Sequence, residues 1–153
     1  MKKILLTSVL SLIITFSFSQ KLTEKDVPDN VKNVFKTKFP EAANVEWEKD
    51  SANIEAVFVS NEMKTEATFD ANGNWKETEW EMPIEYVPDT ITGYVAKNFK
   101  DFKLKEFSMT DSPSGKSYIV EVQKKKEAVE LYFTIAGEFQ KKVVGIVEPK
   151  KKK

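Results

Sequence analysis

Residues 27–31 read VPDNV and residues 87–91 read VPDTI, 60 positions apart. The correspondence continues through Val31 and Ile91, Val34 and Tyr94, Phe39 and Phe99, Glu46 and Glu106, and Trp47 and Phe107. It resumes at an offset of 64 with Ile54 and Tyr118, Ala56 and Val120, Phe69 and Phe133, Gly73 and Gly137, and Trp75 and Phe139. The four additional residues fall in TDSPSG (110–115), a turn-rich stretch where an insertion is tolerated. A chain that repeats a unit of about 60 residues is expected to build one supersecondary structure twice.

Each unit opens with a helix signal. Proline fixes the entry to the first turn, and Asp29 or Asp89 puts a carboxylate at the positive end of the helix dipole. Val31, Val34, Phe35 and Phe39 then follow helical spacing, as do Ile91, Tyr94, Val95 and Phe99. Alternating segments come next: residues 53–59, 64–69 and 75–82 in the first unit, and 117–123, 128–135 and 139–146 in the second. DANGN (70–74) and AGE (136–138) punctuate them as hairpin turns. Shorter strands are expected around 45–48 and 104–109. The fold class is therefore α+β: two tandem units, each one helix packed on an antiparallel sheet of about four strands. The open faces of the two sheets are expected to join into one broad surface.

The N-terminus stands apart from these units. Met1-Lys2-Lys3 precedes the uncharged run 4–16, and Ser17 and Ser19 place small residues before Gln20. That is the pattern of a secretory signal peptide, and the run is short for a membrane span. The expected organisation is a signal peptide at 1–19, a first unit at 20–84, a second at 85–147 and a lysine-rich tail at 148–153. The location is then periplasmic or secreted, with the mature chain not embedded in a membrane.

The chain has no cysteine, no histidine and no arginine. Thiol chemistry and any histidine-dependent triad are excluded, and the commonest metal ligands are missing. Without Lys2 and Lys3 the 24 basic residues fall to 22 against 24 acidic ones, a net charge of −2, so nucleic acid is not an expected partner. No catalytic residue, metal ligand or cofactor is assigned, and the chain is not read as an enzyme.

The stretches VPDNVKNVFKTKFPEAANVEWEKD (27–50), TFDANGNWKETEWEM (68–82) and VPDTITGYVAKNF (87–99) resemble the PepSY-like family, also described as β-lactamase-inhibitor-protein-like. The resemblance implies a helix-plus-meander fold in small exported proteins. It carries no catalytic constellation, and no inhibitory contact residue transfers to this sequence.

Function is therefore sought on the face of the sheet away from the helices. Trp75 and Trp80 are five positions apart, which on a regular strand puts them on opposite faces. With Trp75 in the core, Trp80 falls on the open face, exposed there as a binding anchor unless packing between the units or the connector MPIEYVP covers it. Tyr132, Glu66, Thr78 and Glu130 complete the candidate binding residues. Asp70, Asn72 and Asn74 have the oxygen spacing of a calcium loop, but Trp75 stands where such a loop needs glycine, so DANGN is read as a turn. Glu77, Glu79 and Glu81 share one strand face and are read as solvated. The expected function is an exported non-catalytic module that engages an unidentified envelope protein or peptide through the open face and rim loops, one form being inhibition of an envelope hydrolase. The alternative is a small-ligand carrier or sensor.

Overall fold

The computed structural model describes residues 20–146. The expected signal peptide (1–19) and lysine-rich tail (148–153) lie outside the described residues, as does Val147. Among the described residues no helix is long and apolar enough to cross a membrane.

The described residues form two α-helices and nine strands: β1 Gln20–Leu22, α1 Asp29–Lys38, β2 Ala43–Asp50, β3 Asn53–Ser60, β4 Met63–Asp70, β5 Trp75–Met82, α2 Asp89–Asn98, β6 Lys103–Ser112, β7 Gly115–Lys124, β8 Glu127–Thr134 and β9 Phe139–Ile146. A short 3-10 turn precedes each helix, at Glu24–Asp26 and Ile84–Tyr86. The fold is α+β, but the strands form one antiparallel sheet in sequential order β1 to β9 rather than two sheets of about four. β5 and β6 provide the junction, from Thr78 opposite Asp111 to Met82 opposite Phe107.

Both helices start where proline and aspartate set them. Pro28 and Pro88 hold extended backbone just before the first turn. Asp29 also pairs with Lys32, 2.8 Å away, one turn on. Phe39 and Phe99 close the helices, each amide donating to a carbonyl four residues back.

Residues opposite one another across antiparallel strands lie on one face of the sheet. Trp47, Ala56, Ala67, Thr78 and Asp111 are linked in this way, as are Met82, Phe107, Val120 and Leu131. That shared face carries both helices. Val31 and Phe35 of α1 pack on Trp47, Ile54, Phe58 and Phe69, and Ile91 and Val95 of α2 pack on Phe107, Val120, Leu131 and Phe133. Phe35 is the hub of the first core, its ring 5.0 Å from Trp47 and 5.1 Å from Phe58, both edge-on. Truncation of such a buried aromatic costs about 3–5 kcal/mol.

The insertion at 110–115 lengthens a hairpin rather than bulging as a loop. β2 and β3 are eight residues each, whereas β6 and β7 are ten each. The four extra residues are divided equally between the two strands, so the turn stays at two residues and the pairing continues to Ser112 opposite Gly115.

Two glycines lock the helices to the sheet. Gly73 and Gly137 both have φ of +83°, and each sits under the first turn of a helix. A Cβ on Gly73 would lie 3.2 Å from the Asn30 backbone, and one on Gly137 would overlap the Thr90 hydroxyl. Asn30 and Thr90 are equivalent residues at the offset of 60, so each VPD start rests on the glycine turn of its own half.

Gly137→Ala meets both a positive φ and a steric overlap, and is expected to lose about 2 kcal/mol of stability. Gly73→Ala should lose about 1 kcal/mol, because the contact there is tight but not overlapping. Thermal unfolding followed by circular dichroism measures both. Adding Thr90→Ala to Gly137→Ala should return the steric part of the loss and leave the backbone part.

Candidate functional site

The face away from the helices is open. A β-bulge decides what stands on it. Phe69 is opposite Trp75 and Thr68 is opposite Glu77, so β5 spends two residues where β4 spends one, and Lys76 is the extra residue. The bulge moves the phase of β5 by one. Trp75 and Trp80 therefore share the helix-covered face, against the expectation that they oppose each other. Trp80 pairs with Thr65 and Met109 there and is half-buried. Thr78, likewise expected on the open face, is buried on the helix side, where its Oγ accepts a 2.9 Å hydrogen bond from the Trp75 indole.

The residues moved onto the open face in their place are Glu77, Glu79 and Glu81. Glu66 is directly opposite Glu79, Glu48 opposite Glu55, and Glu121 opposite both Glu106 and Glu130. Like charges placed directly across a strand pair oppose folding. At the centre is a trough of about 200 Å³ lined by Lys64, Glu66, Glu79, Glu81, Glu106, Ser108 and Glu130. Its one lysine is already engaged, with Nζ 2.8 Å from Glu66 and 3.8 Å from Glu81.

Electrostatics follow from this crowding. Burial pushes the Glu79 carboxyl up to about 7; the Ser108 hydroxyl favours the charged form, while Glu66, Glu77 and Glu130 oppose it. Burial also lifts Glu55 to about 7, with Asp50, Glu66 and Glu48 adding repulsion. Glu77 and Glu121 are raised for the same first reason, burial. A carboxyl near 7 has the acid–base property that proton transfer needs, but the trough lining offers it only carboxylates, Ser108 and a paired lysine.

Of the five candidate residues, Glu66 and Glu130 line the trough. Tyr132 stands beside it, donating to Glu130 Oε2 at 2.9 Å while the Lys141 ammonium lies 4.2 Å from its ring centre. Burial, then the Glu130 charge, raises its hydroxyl pKa. Trp80 and Thr78 are on the other face. Glu79 and Glu81, read from the sequence as solvated, line the trough with Lys64, Glu106 and Ser108, which were not among the candidates. The signal was present, because the run from Glu77 to Met82 alternates strictly and only Trp75 breaks its phase.

The DANGN turn satisfies itself. Asp70 Oδ1 accepts from the amides of Asn72 and Asn74, both at 2.9 Å, and Oδ2 accepts from the Asn74 side chain at 2.9 Å. Among the described residues no group of acidic side chains is arranged to hold a metal ion.

A second cavity, of about 410 Å³, opens at the β1 edge between α1 and β2. Leu22, Phe35, Val45 and Trp47 give it an apolar floor, and Lys21, Lys32 and Lys36 stand around it with Glu24 and Glu46.

Fold and site together define an α+β protein whose single antiparallel sheet is helix-covered on one side and acidic on the other. The sequence profile of a family described as "Putative beta-lactamase-inhibitor-like, PepSY-like" matches residues 17–64 and 52–141, and the chain belongs to that family. Solved structures share the fold. A BLIP-like protein of Bacteroides fragilis is 21% identical with a TM-score of 0.67, over 82% of this chain and 91% of that one. A DUF2874 family protein of Bacteroides ovatus is 20% identical with a TM-score of 0.68, over 76% and 86%. A protein of Bacteroides eggerthii described as "putative periplasmic" is 24% identical with a TM-score of 0.68, over 77% and 88%. Among curated proteins none matches the chain.

The raised carboxyls make stability fall with rising pH. A glutamate near 4.5 when unfolded and near 7 when folded holds its proton more tightly in the native state. Its contribution is complete below 4.5 and is lost as pH climbs to 7. Asp29, Asp70 and Asp101, held low chiefly by hydrogen bonds from Lys32, Asn74 and Lys124, act oppositely and lose their contribution as pH falls below their ordinary 3.8. Denaturant unfolding from pH 4 to 8 should therefore show highest stability at the acid end, between about pH 4 and 4.5. Glu79→Gln should flatten the fall between pH 5 and 7 and gain on the order of 1 kcal/mol at pH 8.

Proposed function

We propose that this protein is an exported, non-catalytic binding module that holds a basic protein or peptide segment against the open face of its sheet. The observation that carries this reading is the set of glutamates paired directly across strands around the trough. These pairs oppose folding, so a partner that neutralises them supplies what the isolated chain lacks. A lysine- or arginine-bearing extended segment has that chemistry. Tyr132 adds an aromatic surface beside the trough, and the turns between strands form its rim.

The signal-peptide pattern at 1–19 supports a periplasmic or secreted location, and the description of the Bacteroides eggerthii neighbour agrees with it. The two halves share one order of elements, which supports reading them as repeats of a single unit. The family's name raises inhibition of an envelope hydrolase as one form of such binding. Absence of cysteine, histidine and arginine from the chain supports a role without catalysis.

A small-ligand carrier is the second reading, favoured by the cavity of about 410 Å³ under α1. A ligand with an apolar body and an acidic group would suit its floor and lysine rim.

Titration with an extended lysine-rich peptide, followed by calorimetry at low salt and pH 8, discriminates the two. Binding should weaken at least about tenfold for Glu66→Lys combined with Glu130→Lys, and should fall steeply with added salt. Trp80→Ala, on the other face, should leave it within about twofold. Equal binding by all variants would sink the acidic-face reading. Displacement of a bound aryl carboxylate by Phe35→Ala, without effect on the peptide, would favour the carrier.

A further inference from the structure

The two ends of the sheet differ in how their outer edges are finished. β9 stands to β8 as β5 stands to β4. Both are eight residues long, and each carries a bulge one residue after its opening aromatic, with Gln140 in the place of Lys76. The outer edge of β5 is taken by β6. Among the described residues the equivalent edge of β9 has no strand on it. At the opposite end β2 occupies the place of β6. Its outer edge is covered only at Trp47, Glu48 and Lys49, by Leu22, Lys21 and Gln20 of β1. With the offset of 60, these are the positions that Met82, Glu81 and Trp80 cover on β6.

We propose that β9 of one molecule pairs with β2 of a second copy of this chain in the β5–β6 register, and that β1 is the strand that holds this assembly off. The interface is one the protein already builds internally. With the repeat offsets applied, Val143 comes opposite Asp50, Val144 opposite Lys49 and Gly145 opposite Glu48. Val143 takes the place of Glu79, so no carboxylate of β9 confronts Asp50. Lys141, on the open face opposite Tyr132, lies diagonally from Asp50. Lysines on an edge strand ordinarily discourage pairing. Here Lys141 gains a carboxylate neighbour on β2, Asp50, while Lys142 comes opposite Ser51.

β1 is a light barrier. It makes three residue pairs, and Gln20 and Lys21 are exposed. Its ion pair from Lys21 to Glu46, at 2.7 Å, is exposed on both sides and of the kind that contributes little. Leu22 supplies its packing on the first core. Head-to-tail pairing is heterologous, so each added copy leaves a free edge for the next, and release of β1 yields a series of oligomers rather than an isologous dimer.

The absence of cysteine makes a disulfide test clean. Val143→Cys and Asp50→Cys are introduced together, with and without Lys21→Pro, which removes the central amide of β1. Mild oxidation of the Lys21→Pro protein should give an intermolecular ladder on non-reducing gels, about tenfold more than in the chain with intact β1. Replacing Asp50→Cys by Lys49→Cys puts the two thiols on opposite faces and should abolish the ladder. Lys21→Glu, which sets a carboxylate beside Glu46 and Glu48, should give an intermediate yield if proline unfolds the chain, as judged by circular dichroism. The proposal is overturned by a folded Lys21→Pro or Lys21→Glu protein that stays monomeric. It is equally overturned by dimers from Val143→Cys alone, or by equal ladders with intact and disrupted β1.

Discussion

The pairing of β5 with β6 is the contact on which the molecule depends. Five residues on each side, Thr78 to Met82 and Phe107 to Asp111, turn two helix-covered meanders into one sheet. Without it each half would present an edge, and the acidic face would be divided at its deepest point. Glu79 and Glu81 lie on one side of this seam and Glu106 and Ser108 on the other. The trough is a property of the junction rather than of either half.

The halves differ in how their helices are seated. In the first, Phe35 reaches from the helix into a ring of aromatic neighbours, and Lys38 covers the Trp75 ring at 3.6 Å. In the second, the aromatic has moved one position along the helix to Tyr94, which stacks on Phe139 at 4.8 Å with Phe133 edge-on beside it. Each helix meets the opening aromatic of its last strand, by a lysine in one case and by a ring in the other. The element order tolerates that exchange because both solutions cover the same surface over the same glycine turn.

Helix starts, strand positions and turns were legible in the sequence because each has a local cause: Pro-Asp at the start, alternation along the strand, Asn-Gly at the turn. The joining of the open faces was expected from the repeat; the single continuous sheet that achieves it was not. It rests on pairing between segments that local pattern does not connect. The sides taken by Trp80 and Thr78 were misplaced for a narrower reason. A single bulged residue, Lys76, reverses the phase of everything that follows, and counting from Trp75 carried the error through β5. Counting back from Met82 would have put Glu77, Glu79 and Glu81 on the open face. Glu66, Glu130 and Tyr132 came out beside the trough because β4 and β8 keep their alternation. The elevated carboxyls were beyond sequence, since they arise first from burial and then from charges on other strands.

The glycine turns beneath the helices bear on the order in which the chain becomes structured. Asn30 at the start of α1 hydrogen-bonds to the carbonyl of Ala71, 41 residues later. The helix that heads each half thus finds its seat only when the turn before that half's last strand has formed. A half behaves as a closed circuit, incomplete until its end reaches its beginning. β5 is the strand that follows the first closure and also the template on which β6 is laid. The closure of the first half and the seam with the second therefore share one strand, β5.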